Sequence, residues 1–306
     1  MLTRRRMIAI SAAMAASTLA GAARAGSGHQ IWTGQALGAR ASIRLDHPQA
    51  DKIAARVLAE IERLENILSL YRENSALSRL NRDGELKTPP FELLECLSIA
   101  STVHKASKGR FDPTVQPLWA LWAQAVTAGK NPTQAEIAQT RRKIGWQKIR
   151  FSPQAIIMEP GMALTLNGIG QGYVADRVVG LLEHEGLNDI LVDTGEFRAL
   201  GGRPQGGDWP MRLESGERLG LRQRALATSA PLGTTFDQDG KQGHILNPET
   251  GLPIAAVWQS VSISAPSAAL ADALSTAACL MPDQEAITRM IGQFSDVSCE
   301  AAAATV

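Results

Sequence analysis

The sequence predicts a mixed α/β (α+β) domain, and three patterns carry that expectation. Ala39, Ala41, Ile43 and Leu45 alternate with Arg40, Ser42 and Arg44, the period of a half-buried strand. Ile53, Val57, Ile61, Leu64 and Ile67 recur at spacings of four and three among polar neighbours, so residues 50–68 read as an amphipathic helix. After residue 150, short apolar runs interleave with further helical stretches, an arrangement of layers that fits neither a helical bundle nor a sandwich.

The remaining elements follow the same signals. Glu92–Ser107 reads as a helix with Gly109 just past its end, where a left-handed residue closes many helices. Residues 115–128 read as a third helix. Ala163–Leu166 is expected to be a strand running through Asn167-Gly168-Ile169-Gly170-Gln171-Gly172 into a helix from Tyr173 to about His184. Gly186 closes that helix, and Ile190–Val192 begins a buried strand. Further strands are expected around 210–214, 223–228 and 257–265, with a helix from Ala268 to about Leu280. The strand order does not follow from these patterns.

Residues 1–25 read as an export signal. Arg4-Arg5-Arg6 precede an apolar run from Ile8 to Ala20, and Ala23-Arg24-Ala25 ends in the small-residue pattern of a cleavage site. Consecutive arginines after Thr3 point to the twin-arginine route and a periplasmic product. The alternative is an uncleaved anchor, but the run is shorter than the ~20 residues that span a bilayer. The whole chain has 31 Lys and Arg against 30 Asp and Glu; residues 1–25 hold four arginines and no acid, so residues 26–306 carry a slight acidic excess. A general nucleic-acid binder would show the opposite balance. Cys96, Cys279 and Cys299 are odd in number and widely spaced, which implies no disulfide framework, and the lack of a C-x-x-C or His-Cys cluster argues against zinc, haem or iron–sulfur ligation.

Several clusters suit chemistry. The glycine turn 168–172 lets a backbone approach a ligand closely, and the N–H groups of the helix behind it suit phosphate oxygens. Its glycines are not spaced as a dinucleotide fingerprint, and a plain tight turn is the competing reading. Asp272 and Thr276, four apart, share a helix face and offer hard oxygens suited to Mg²⁺; the bland alternative is a hydrogen bond and a packing contact. His244 lies in Gly243-His244-Ile245-Leu246-Asn247-Pro248, a turn region, where an imidazole suits base chemistry near neutral pH, although a lone histidine is more often structural. Phe111-Asp112-Pro113-Thr114-Val115 is a second cluster outside a regular element. Tyr71, at the end of the first helix, suits stacking on a planar ring or burial in the core.

Taken in order along the chain, these segments resemble the ApbE family of FAD:protein FMN transferases. The resemblance rests on Ser69-Leu70-Tyr71 with Leu80-Asn81, Arg110-Phe111-Asp112-Pro113-Thr114-Val115 with Pro117-Leu118, the stretch Leu164 to Asp176, Ala227-Thr228-Ser229, His244 to Pro248 with Thr250-Gly251, and Ala271-Asp272 with Ser275-Thr276. It implies one catalytic domain over 26–306, with mixed or antiparallel sheets flanked by helices. It further implies FAD as donor, Mg²⁺ as essential ion, and a Thr or Ser hydroxyl of an acceptor protein as target. The matching positions make Asp272, Thr276 and the Gly168 carbonyl the metal ligands. Tyr71, Arg110, Phe111 and Asp112 fall among the flavin or nucleotide contacts, as does His244, which is also matched to activating the acceptor hydroxyl.

Two positions depart from the family pattern. Thr165 and Gln171 stand where it usually has aspartate and lysine, both of which help hold FAD. The segment Leu166-Asn167-Gly168-Ile169-Gly170-Gln171-Gly172-Tyr173, with Asp193-Thr194-Gly195-Glu196 and Arg198-Ala199-Leu200-Gly201, resembles the branch linked to nitrous oxide respiration. Its acceptor would be a membrane-bound flavoprotein. The competing functions are an FAD pyrophosphatase, in which water replaces the hydroxyl, and a non-catalytic periplasmic flavin-binding protein.

Overall fold

A computed structural model of the chain describes residues 30–45 and 47–305; the export signal expected over 1–25 lies outside them. The described residues open on a hairpin, β1 (Gln30–Ala36) and β2 (Ala39–Leu45). Leu37 and Gly38 in its two-residue loop both take positive φ, 49° and 87°, as the tight turns matched to strand twist require. The main sheet continues through β6 (Ile190–Asp193), β7 (Phe197–Leu200), β10 (Ala225–Ser229), β11 (Trp258–Ala265) and β12 (Ser298–Ala304), in the order β1-β2-β6-β7-β10-β11-β12. Every neighbouring pair is antiparallel. A small sheet joins β3 (Glu85–Lys87), β5 (Ala155–Ile157) and β4 (Arg150–Phe151), and β8 (Trp209–Arg212) pairs with β9 (Arg218–Leu221).

Successive residues of a strand point to opposite faces, and this divides the core. Val192, Leu200, Ala225, Ala227 and Ile263 face the large helical core. Leu191, Ala199 and Leu226, one position off, face a second core with Trp209, Met211 and Leu221 of the β8–β9 hairpin. Both faces of the sheet centre are therefore covered. This is why β11 is buried at all but one position and reads as a continuous apolar and serine run, without alternation.

The helical core is built by α1 (Ala50–Leu68), α3 (Phe91–Ala106), α6 (Gly170–His184) and α7 (Ala268–Cys279). On α1 the predicted stripe Ile53, Val57, Ile61, Leu64 and Ile67 is the buried one, each side chain contributing about 1.5–3 kcal/mol on burial. The helix stops at Leu68, so Tyr71 lies beyond it in the connection. A satellite core gathers Leu118 and Trp122 of α4 (Gln116–Thr127), Ile137 of α5 (Gln134–Arg141), Phe236 and Leu246.

Three helices have no counterpart in the sequence patterns: α2 (Ala76–Asp83), α5 and α8 (Gln284–Ile291). Each spans eight residues, too few for a repeating apolar stripe. Their start signals are local caps: the Ser75 side chain on the Ser78 N–H, a Thr133–Glu136 capping box, and the Asp283 side chain on the Ala286 N–H.

The strand expected at Ala163–Leu166 is absent. Its place is taken by a side chain. Leu164 N–H donates to Asn81 Oδ1 (2.7 Å) and Asn81 Nδ2 donates back to the Leu164 carbonyl (2.8 Å), while Thr165 N–H donates to the Pro113 carbonyl (2.8 Å). With their backbone groups satisfied in this way, these residues need no neighbouring strand. The following helix begins at Gly170, three residues before the expected start.

Candidate active site

The site is built where α6 crosses α7. A Cβ placed on Gly172 would lie 2.1 Å from the Ala268 carbonyl oxygen, so only glycine permits this approach. The approach brings the Gly172 N–H to Asp272 Oδ2 at 3.1 Å. One turn further along α7, Thr276 meets the glycine turn: a Cβ on Gly168 would sit 3.0 Å from Thr276 Oγ1 and 3.3 Å from Phe111 Cε2. Ser229, at the end of β10, closes the cluster through Ser275 Oγ (2.7 Å) and Thr276 Oγ1 (3.2 Å). Thus Gly168, Phe111 and Thr276, from three separate segments, converge, and Asp272 lies one turn before Thr276 on α7.

The glycine turn does less phosphate cradling than its pattern suggests. The N–H groups of Ile169 and Gly170 both turn back to the Leu166 carbonyl, and that of Gly172 goes to Asp272. Its principal contribution is steric: it lets two backbones and a carboxylate come together.

Asp272 is 3% exposed. Burial pushes its carboxyl up to about 7, the charge of Asp176 adds to the rise, and the Gly172 N–H opposes it. Glu196, also buried, accepts the Thr228 N–H at 3.2 Å; burial and then the charge of Asp272 raise it well above the usual carboxylate range. Two desolvated carboxylates with few donors form a site short of positive charge. A carboxylate, a hydroxyl and a backbone carbonyl are the hard oxygens Mg²⁺ selects, and that ion binds few protein groups beside substrate phosphates. The residues therefore fit the ion. Among the described residues no cluster of three or more His, Cys, Asp or Glu is arranged to hold a metal, so a cation here would draw on Asp272, Thr276 and Gly168 together with substrate oxygens. The sequence motifs give Glu196 no role; the signal that marks it is an acid just beyond a buried strand.

His244 belongs to the loop that leaves β10. Its Nδ1 and its backbone N–H both reach the Thr234 carbonyl, at 2.9 and 3.0 Å. A carbonyl can only accept, so Nδ1 carries a proton in this bond. Burial lowers the ring below its ordinary value, against the raising effect of hydrogen bonds to the Thr234 and Pro231 backbone. Tyr71 is 43% exposed and, with Leu70, Gln116, Trp119 and Asn167, lines a small cavity beside the glycine turn.

The other candidates are anchored in different ways. Asp112 is occupied within the protein: Oδ1 accepts from the Thr114 N–H and hydroxyl, Oδ2 from the Trp146 N–H. It caps the 3-10 turn Pro113–Val115 and shapes the wall without presenting its carboxylate. Arg110 donates Nη1 to the Leu280 carbonyl just past α7 (3.2 Å), tying the Phe111 loop to that helix. The Thr165 hydroxyl accepts the Asn167 N–H (3.1 Å) within the turn. Gln171 instead lies against Gly195, whose added Cβ would be 2.8 Å from Gln171 Oε1, and its carbonyl accepts the Thr194 hydroxyl (2.8 Å).

An antiparallel sheet with a buried carboxylate and, one turn on, a partly exposed hydroxyl at a helix crossing defines a mixed α/β protein with a hard-oxygen site. The family model described as the ApbE family matches residues 37–299. The chain is 32% identical over 229 residues to the FAD:protein FMN transferase of Chlamydia pneumoniae, covering 72% of this chain and 73% of that one. It is 29% identical over 241 residues to the Haemophilus influenzae protein of the same name, covering 72% and 70%. Among solved structures, the apo flavinyl transferase ApbE of Pseudomonas stutzeri superposes with a TM-score of 0.76 at 26% identity, over 87% of this chain and 88% of that one. A point mutant of the Vibrio cholerae flavin transferase ApbE shares the fold at a TM-score of 0.79 and 23% identity, over 90% and 98%. This chain belongs to the ApbE family, and it is a transferase.

Proposed function

We propose that this transferase moves the FMN half of FAD onto a Thr or Ser hydroxyl of an acceptor protein, releasing AMP in a Mg²⁺-dependent reaction. The observation that carries the reading is the buried Asp272 one helical turn from Thr276, which itself meets Gly168, in a chain whose relatives are named FAD:protein FMN transferases. Asp272, Thr276 and the Gly168 carbonyl would hold the ion, which would supply positive charge to the pyrophosphate when bound. Nε2 of His244 accepts the proton of the incoming hydroxyl. The hydroxyl oxygen bonds to the FMN phosphorus as the bond to AMP breaks. Tyr71, Trp119 and Phe111 offer the aromatic wall for a planar ring.

The signal over residues 1–25 supports a periplasmic site of action, and a membrane-bound flavoprotein of nitrous oxide respiration is the proposed acceptor. The test is to mix purified protein, FAD, Mg²⁺ and candidate acceptors and to look for covalent flavin fluorescence on the acceptor together with AMP. Free FMN and AMP formed equally with and without acceptor would mean FAD pyrophosphatase. Bound, unconverted FAD would mean a flavin carrier.

A further inference from the structure

Asp176 lies on α6 one turn beyond Gly172, on the side that meets α7. Its Oδ1 accepts from the Ala268 backbone N–H (2.8 Å) and from Arg198 Nε (3.2 Å), and its Oδ2 from the Ala269 N–H (2.8 Å). The two backbone groups are among the unpaired donors at the start of α7, so a side chain of one helix caps the other. A carboxylate there also meets the positive end of the helix dipole. Arg198 in turn stands on β7 and donates Nη1 to the Ala199 carbonyl (2.8 Å). A continuous link therefore runs from the sheet through Arg198 and Asp176 to the first turn of α7. Asp272 is one turn and Thr276 two turns from that fixed end, and both directions depend on how α7 is rotated about its axis. Ser267, the N-cap of α7, accepts the Leu270 N–H (3.2 Å) but ties α7 only to itself.

We propose that Asp176, held by Arg198, is a positioning residue for the cation site. It sets the rotation of α7 against α6 and thereby aims the Asp272 carboxylate and Thr276 hydroxyl at the glycine turn. The inference rests on the reading of Asp272 and Thr276 as cation ligands. Asp176 and Arg198 line a cavity of about 310 Å³ with Tyr173 and Ser267, and both side chains are partly exposed to it.

Mn²⁺ binding by electron paramagnetic resonance and Mg²⁺ binding by calorimetry, on the purified protein without FAD, test this. Apparent Mg²⁺ KM and kcat are measured alongside. Asp176→Asn keeps the shape but loses one acceptor oxygen, and should weaken cation binding about 10–100-fold, the usual effect of removing a group that orients ligands. The Mg²⁺ KM should rise by the same factor, with kcat largely regained at saturating Mg²⁺. Arg198→Gln should give a smaller loss of the same kind. Ser267→Ala should lower Tm and leave cation affinity unchanged. A lowered Tm with unchanged cation affinity in Asp176→Asn overturns the proposal, as does a loss in Ser267→Ala equal to that in Asp176→Asn. Should Asp176→Asn be insoluble, Arg198→Gln decides, and unchanged affinity there overturns it. Asp272→Ala separates the two levels. Normal cation binding in that variant removes the ligand assignment itself; lost binding there beside intact binding in Asp176→Asn removes only the positioning role.

Discussion

His244 holds its protonated Nδ1 against the Thr234 carbonyl, and burial favours the neutral ring. His244→Asn retains much of the size and some hydrogen bonding but no base. Flavin transfer to an acceptor should fall about 10²–10⁴-fold while FAD and Mg²⁺ binding persist; single-turnover transfer measured beside binding checks both. In the wild type the rate should rise with pH through a value below 6.5 and then level off. Asp272 titrates in the opposite sense. Its carboxyl is raised from 3.8 to about 7, so between those values the folded, metal-free protein keeps a proton that the unfolded chain has lost. The stability it contributes is complete below about 3.8 and disappears as pH rises through about 7, and Glu196 acts in the same direction. Thermal melts with a chelator should therefore show Asp272→Asn gaining on wild type as pH rises from about 4 to about 7, and Mg²⁺ should restore wild type alone. A Tm difference that stays constant across that range would refute the assignment.

On α6, two glycines make opposite predictions. Gly172 lies against the Ala268 carbonyl, where an added Cβ would be 2.1 Å from a backbone oxygen. Gly172→Ala must push α7 away, at a cost of about 1–3 kcal/mol or more, and should weaken cation binding with it. Gly180 has nothing within 4 Å of its built Cβ, so Gly180→Ala should stabilise the helix by about 0.5–1 kcal/mol. Chemical denaturation of both variants measures the contrast; equal effects would mean that helix propensity, not the crossing, governs this element. The segment 163–166 makes a related point. Apolar alternation there matches a strand, but the Asn81 amide occupies the backbone groups that a ladder would use.

For the molecule as a whole, the testable expectation is export. Arginines before an apolar run and the Ala23-Arg24-Ala25 pattern predict a mature chain beginning near Gly26 outside the cytoplasm. N-terminal sequencing of the periplasmic fraction checks it, and a functional pool that retains Met1 in the cytoplasm would count against it. The described part of the chain surrounds one sheet with a core on each face, and the candidate site lies at the helix crossing above it.

By itself the sequence determined the mixed α and β class, the long helix over 50–68, the strands near 39–45 and 257–265, and the family to which Tyr71, Phe111, His244, Asp272 and Thr276 pointed. These are local properties: periodicity, caps and short motifs are written in neighbouring residues. Only the tertiary structure decided that Asp112 caps its own turn, that the Gly170 and Gly172 N–H groups are already engaged, that Glu196 is buried near Asp272, and that Asp176 ties α6 to α7. The strand order, with β2 beside β6, was also decided there. The physical reason is that burial, which raises a carboxyl, and hydrogen bonding, which engages one, depend on partners far away along the chain. The period of a helix or strand says which face a residue occupies, not what that face will meet.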